Sequence, residues 1–171
     1  MGVKLVGAAA TLPSHAGTKG DIDRLASLAI LTANVVNNNA TANTLLDITA
    51  LTVPCVSGQL MYFRFFIPYS AAATTTGSRW TLSCGAVIAM RYTSSWSLTA
   101  TTKTNNESLG TINLPAAANA TSGATTPNFA VIEGFVSLLA DGPLVARFAS
   151  SVASSAITAL AGAFVEYRRI T

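Results

Sequence analysis

From about position 28 the chain reads as short apolar runs at the two-residue period of β-strands, separated by polar turns. Positions 60–67 carry the strongest run: Met61, Phe63, Phe65 and Ile67 alternate with Tyr62, Arg64 and Phe66. Pro68 is expected to close it, because proline has no N–H for a ladder. Positions 129–139, 144–149 and 163–170 predict further strands, with Asp141-Gly142 as a hairpin turn between the first two. In 144–149, Leu144, Ala146 and Phe148 share one face, opposite Val145 and Arg147. In 163–170, Phe164, Glu166, Arg168 and Ile170 share a face, opposite Val165, Tyr167 and Arg169. Shorter runs fall at 45–49, 51–56, 79–83, 86–92, 94–102, 111–114 and 157–160. Turns are expected at Asn37-Asn38-Asn39, at Ser57-Gly58, at Ala161-Gly162 and through the polar stretch 102–110. Positions 115–128 are an Ala/Thr/Ser/Asn/Gly/Pro tract and predict an exposed loop.

The first 27 residues differ. They hold Gly2, Gly7, Gly17, Gly20 and Pro13 and predict an extended arm. Positions 21–33 predict a short helix with Ile22, Leu25, Ala26, Ala29 and Ile30 on one face, against a competing strand from Leu28. About eight to ten short strands, with turn signals every 8–12 residues or so, leave little room for helices. The expected fold is all-β: a jelly-roll-like antiparallel β-sandwich over 28–171, preceded by an extended N-terminal arm over 1–27. The chain has no internal repeat.

Composition changes the picture in one respect. Charged residues are 10% of the 171, against a usual share of roughly 25%. Ala, Thr and Ser together supply 68 residues. The surface this predicts is uncharged, weakly polar and easily desolvated, and it suits dense protein packing. Half the chain is apolar, which excludes a disordered polyelectrolyte. The net charge of +3 comes from scattered Lys and Arg, so no nucleic-acid partner is expected. No stretch gives about 20 consecutive apolar residues, so no membrane span is expected. The opening residues lack a clean secretory apolar run, and position 6 is Val where a myristoylation signal needs Ser or Thr.

Candidate chemistry is sparse. His15 is the only imidazole and sits beside Ser14 in the arm, where nothing preorganises a nucleophile and base. Asp47, Glu107, Glu133, Asp141 and Glu166 are the carboxylates open to paired acid–base work. Asp141 and Glu107 fall in turns, and Glu133 and Glu166 are expected to pair with Arg147 or Arg168. Asp21 and Asp23 lack calcium-loop spacing, and no phosphate-binding loop is present. No catalytic residue, cofactor or metal is therefore assigned. Cys55 and Cys84 read as buried free thiols. Asn39, Asn106 and Asn119 begin glycosylation-type tripeptides that mark polar loops only. Most aromatics alternate at strand period and read as core. Trp80 and Trp96 are flanked by Ser, Thr or Arg and, with Tyr92, are candidates for exposed contacts.

Three stretches carry a resemblance. They are Leu31-Thr-Ala-Asn-Val-Val-Asn-Asn-Asn-Ala-Thr through Leu51-Thr-Val-Pro; Tyr62-Phe-Arg-Phe-Phe-Ile-Pro-Tyr-Ser-Ala-Ala-Ala-Thr-Thr-Thr-Gly; and Gly142-Pro-Leu-Val-Ala-Arg-Phe through Leu160-Ala-Gly-Ala-Phe-Val-Glu-Tyr-Arg-Arg-Ile. Together they resemble the jelly-roll-like structural domains of tailed bacteriophage virions, found in head decoration (cement) proteins, head fibres and tail proteins. The resemblance implies a non-enzymatic β-sandwich of the virion that forms homo-oligomers, a trimer ahead of a dimer, and binds the major capsid protein or other virion proteins. In that role the arm is the expected capsid contact, through Lys4, Leu5, Val6, Leu12, Pro13 and His15. The competing expectation is a fibre component that binds a receptor or glycan through Trp80, Tyr92 or Trp96.

Overall fold

The computed structural model describes residues 26–99, 101–112, 125 and 128–170. These form eleven strands and no helix: β1 (Ser27–Ile30), β2 (Val35–Asn37), β3 (Leu46–Cys55), β4 (Met61–Ala71), β5 (Ser78–Ser83), β6 (Val87–Ser97), β7 (Lys103–Leu109), β8 (Asn128–Leu138), β9 (Gly142–Ser150), β10 (Ile157–Ala159) and β11 (Phe164–Arg169). The fold is an all-β antiparallel sandwich of the jelly-roll-like kind. An eight-stranded sheet runs β1-β11-β4-β8-β6-β7, with β10 beside β4 and β2 beside β10. A three-stranded sheet, β3-β9-β5, packs across it.

Antiparallel partners nest along the chain. β1 pairs β11, β2 pairs β10, β3 pairs β9 and β4 pairs β8. This is one long ribbon folded back on itself and rolled, which is how a jelly roll brings chain-distant strands together. The nesting explains why Asp141-Gly142 is not a hairpin turn. β8 lies in the broad sheet and β9 in the narrow one, so the chain crosses between layers there. Asp141 accepts the Ser57 backbone N–H at 2.8 Å and ties the crossing to the neighbouring β3–β4 turn.

Other local expectations give way to tertiary pairing. Pro68 lies inside β4, where its carbonyl accepts the Leu160 N–H at 2.9 Å. N–H and C=O of one strand residue point to the same side. The missing donor therefore faces the gap where the neighbour changes from β11 to β10, and no ladder bond is lost. The run 102–110 is strand β7, because seven of its residues pair with β6 despite their polarity. Thr111 and Ile112 lie outside any strand. Asn128 is buried at the start of β8 and does not belong to an exposed loop. Within 21–33, residues 27–30 form strand and not helix, since β11 supplies them an antiparallel partner. Ser27, assigned to the arm by sequence, pairs with Tyr167. The rest of the expected arm, 1–25, lies outside the described residues.

The core fills the space between the layers. From the broad sheet come Phe63, Phe65, Ile67, Tyr69, Tyr92, Trp96, Ile132 and Val165; from the narrow sheet come Leu51, Val53, Trp80, Leu82, Leu144 and Phe148. Trp80 stacks on Phe148 at 4.9 Å and 13°. Each such side chain contributes about 1.5–3 kcal/mol by leaving water. A buried hydrogen-bond chain links the layers: Trp80 Nε1 donates to Ser78 Oγ (2.9 Å), Ser78 to Tyr69 Oη (3.2 Å), and Tyr69 to the Ser97 carbonyl (3.2 Å). Gly134 permits a close approach of β8 to β6. A Cβ there would stand 2.1 Å from the Arg91 carbonyl oxygen and 2.7 Å from Tyr92 Cα. Gly162 sits at φ +89 in the β10–β11 turn, a left-handed backbone that disfavours other residues.

Candidate functional site

Trp80, Tyr92 and Trp96 do not form an exposed site: they are 0%, 2% and 1% exposed. Apart from Thr81, which is itself fully buried, the Ser, Thr and Arg flanking them take other directions, because neighbours in a strand alternate sides. Trp80 sits opposite Phe148, Trp96 opposite the small Ala130, and Tyr92 opposite Gly134, whose missing side chain leaves room. Thr81 Oγ1 and Tyr92 Oη lie 2.9 Å apart and share a hydrogen bond. Lys4, Leu5, Val6, Leu12, Pro13 and His15 lie outside the described residues.

What the molecule does present is the outer face of the broad sheet. The register sets its side chains in rows that cross the strands. One row reads Ile30, Phe164, Phe66, Val131, Ser95, Asn105. The next reads Leu28, Glu166, Arg64, Glu133, Thr93, Glu107. A third reads Arg168, Tyr62, Phe135, Arg91, Leu109. Phe66 is the hub: it stacks on Phe164 at 4.9 Å and 24°, and Phe129 lies 6.0 Å away. Cations cap the rings. The Arg64 guanidinium stands 4.5 Å over Phe66, Lys103 5.5 Å over Phe129, and Arg168 5.5 Å over Tyr62. Such contacts are worth about 0.5–1 kcal/mol each where water still reaches them. At the β1 edge, Leu28 and Ile30 are 58% and 56% exposed. The far end opens into a shallow groove of about 480 Å³ lined by Ile88, Arg91, Leu109, Gly110 and Phe135, among others. Beside it a hollow of about 200 Å³ meets Glu107, Glu133 and Phe135.

The sequence misses this face because Tyr62 and Phe66 alternate at strand period and read as core. The signal was present: in 60–67 both alternating sets carry large aromatics, so both faces of that strand are apolar.

Glu107 and Glu133 both line the smaller hollow, from β7 and β8 with β6 between them, while Asp47, Asp141 and Glu166 lie outside it. Glu133 lies 3.0 Å from Arg64 Nε, and Asp47 lies 2.7 Å from Arg147 Nε. In neither case is the Nε–H aimed at the carboxylate, so these are charge contacts and not well-formed hydrogen bonds. Glu133 pairs with Arg64 and not with Arg147 or Arg168, because β8 adjoins β4 while Arg147 belongs to the other sheet. Glu166 faces Arg64 from β11. Cys55 and Cys84 are free, the first buried and the second half-buried. Burial, then the Cys84 thiol nearby, pushes the Cys55 thiol up to about 11, against a small opposing pull from the Leu144 backbone. Burial also raises Cys84. Neither is poised as a thiolate nucleophile at neutral pH. Among the described residues, no group of three or more His, Cys, Asp or Glu could hold a metal ion, and no helix is long and apolar enough to cross a membrane.

No family model matches the chain, and no curated protein matches it. Among solved structures it is similar to the infectious bursal disease virus VP2 subviral particle, at 9% identity and a TM-score of 0.28, over 85% of this chain and 40% of that one. The VP2 structure of the Gx strain gives 11% identity and a TM-score of 0.28, over 86% and 36%. The chain thus spans about two fifths of those proteins' length. Likeness of this size carries no argument, and the sandwich rests on its own strand register.

Proposed function

We propose that this chain is a non-enzymatic structural protein of a virion. Its finer role is capsid decoration: it binds and stabilises the head shell of a tailed phage and associates with copies of itself. The observation that carries this reading is the outer face of the broad sheet. It spans six strands and mixes half-exposed aromatics with charges, which suits a macromolecular partner better than a small molecule. The resemblance to phage virion domains supplies the particle, and the segment 1–27 with the small-residue surfaces supplies the shell contacts. Small side chains lose little rotamer entropy on docking, and symmetry multiplies weak contacts. A second reading, a fibre component that binds a receptor or glycan, draws on the groove over Phe135 between Arg91 and Leu109.

Copy number in purified virions tests both. A number comparable to the major shell protein supports decoration. A handful per particle moves the chain to a fibre and the groove to the centre of interest. Absence from the particle overturns both.

A further inference from the structure

We infer that the outer face of the broad sheet is a self-complementary interface that takes a second copy of the same chain across a twofold axis. The inference deepens the self-assembling reading above and rests on it for the expectation that copies meet. Among the described residues nothing covers this face, and it carries large apolar side chains that a lone molecule gains nothing by exposing.

The charge pattern selects the occupant. The row Glu166, Arg64, Glu133, Glu107 is net acidic, and the adjacent row Arg168, Arg91 is basic. Consider a twofold axis lying in the face, parallel to the rows and between these two. It lays each row on the other row of the partner, while every strand stays over its own counterpart. Glu166 then meets Arg168 of the second copy, and Arg64 meets the Tyr62 ring. Arg91 arrives over Thr93, between Glu133 and Glu107. All of these contacts occur twice, as an isologous interface requires. The next rows out also match. Phe164 falls over Ile170, and Phe66 over Leu60, so apolar meets apolar. Ile170 is exposed and its N–H binds the Leu60 carbonyl at 2.8 Å, which fixes both at that end of the face. Twisted sheets pack face to face at about 30°, so the register holds best over β11, β4 and β8, where the aromatics lie. A twofold pair departs from the trimer that the resemblance implies.

Reciprocal charge reversal tests the pairing. One variant carries Arg91→Glu and Arg168→Glu; the other carries Glu107→Lys and Glu166→Lys. Each makes both rows alike in sign, so each alone should stay monomeric in sedimentation equilibrium, with the dimer dissociation constant raised at least about a hundredfold. An equimolar mixture restores opposite rows and should sediment as a heterodimer, a rescue that a folding defect in either variant would not yield. The inference is overturned by a monomeric wild-type chain, by a dimer or trimer that ignores both reversals, or by a mixture that stays monomeric. Virion copy number is read separately. Presence in particles without charge-dependent pairing overturns this face alone; absence from particles with pairing intact overturns only the virion reading.

Discussion

The central strands of the two sheets follow different rules. In β4, at the middle of the broad sheet, buried and half-exposed positions alternate without a break. In β9, at the middle of the narrow sheet, Leu144, Val145 and Ala146 are all buried, and so are Phe148, Ala149 and Ser150. Val145 and Ala149 face away from the core row of Trp80 and Phe148, yet both are buried. On that side Ala149 lies opposite Arg79, and Arg147 lies between Asp47 and Thr81. The broad sheet instead fills its outer positions with Tyr62, Arg64, Phe66, Phe135 and Phe164. Among the described residues, the narrow sheet's central strand is buried on both sides, whereas the broad sheet's central strand keeps half-exposed aromatics on one.

The largest expected effect separates two stacked rings, one in each setting. Phe148→Ala removes a fully buried ring and should destabilise the isolated chain by about 4 kcal/mol. Phe66→Ala, on the outer face, should cost about 1 kcal/mol in the monomer. Denaturant unfolding of both variants measures the difference, and equal losses would mean that the broad face is as closed as the core. An intermediate effect belongs to the narrow sheet. The folded Cys55 thiol is pushed up to about 11 from an ordinary 9.0. Above pH 9 the unfolded thiol loses its proton while the folded one keeps it, so stability should fall between about pH 9 and 11, by on the order of 2 kcal/mol. Cys55→Ala should flatten that part of the stability profile; an unchanged profile would remove Cys55 as its cause. The smallest effect is the Arg64–Glu133 contact. Both side chains are well exposed, so a double-mutant cycle should give a coupling below about 1 kcal/mol in the monomer. A larger coupling would mean that this part of the face is drier than its exposure suggests.

Much of the fold is visible in the residues themselves. The alternation at 129–139 and 163–170 predicts β8 and β11 nearly to their ends, and that at 60–67 predicts β4 except for its last four residues, 68–71, since period-two burial is a local property of one strand. The pairing is not local. Asp141-Gly142 has the turn chemistry of a hairpin, but local chemistry does not say which sheet receives the next strand. Residues 103–109 carry no apolar alternation and became a strand because β6 offered an unpaired edge. Pro68 reads as a stop signal until the gap between β10 and β11 takes up its missing donor.

The candidate site divides in the same way. The scarcity of charge and the abundance of small residues were set by composition. Which aromatics meet water was not. Trp80 and Trp96 look exposed from their Ser, Thr and Arg neighbours, while Phe66 looks buried from its strand-period alternation. Alternation assigns side chains to two faces without saying which face another layer covers. Only the packing of the narrow sheet over one side of the broad sheet decided that. It buried the tryptophans and left the phenylalanine row open, because a sandwich shields one face of each sheet and leaves the other to solvent or to a partner.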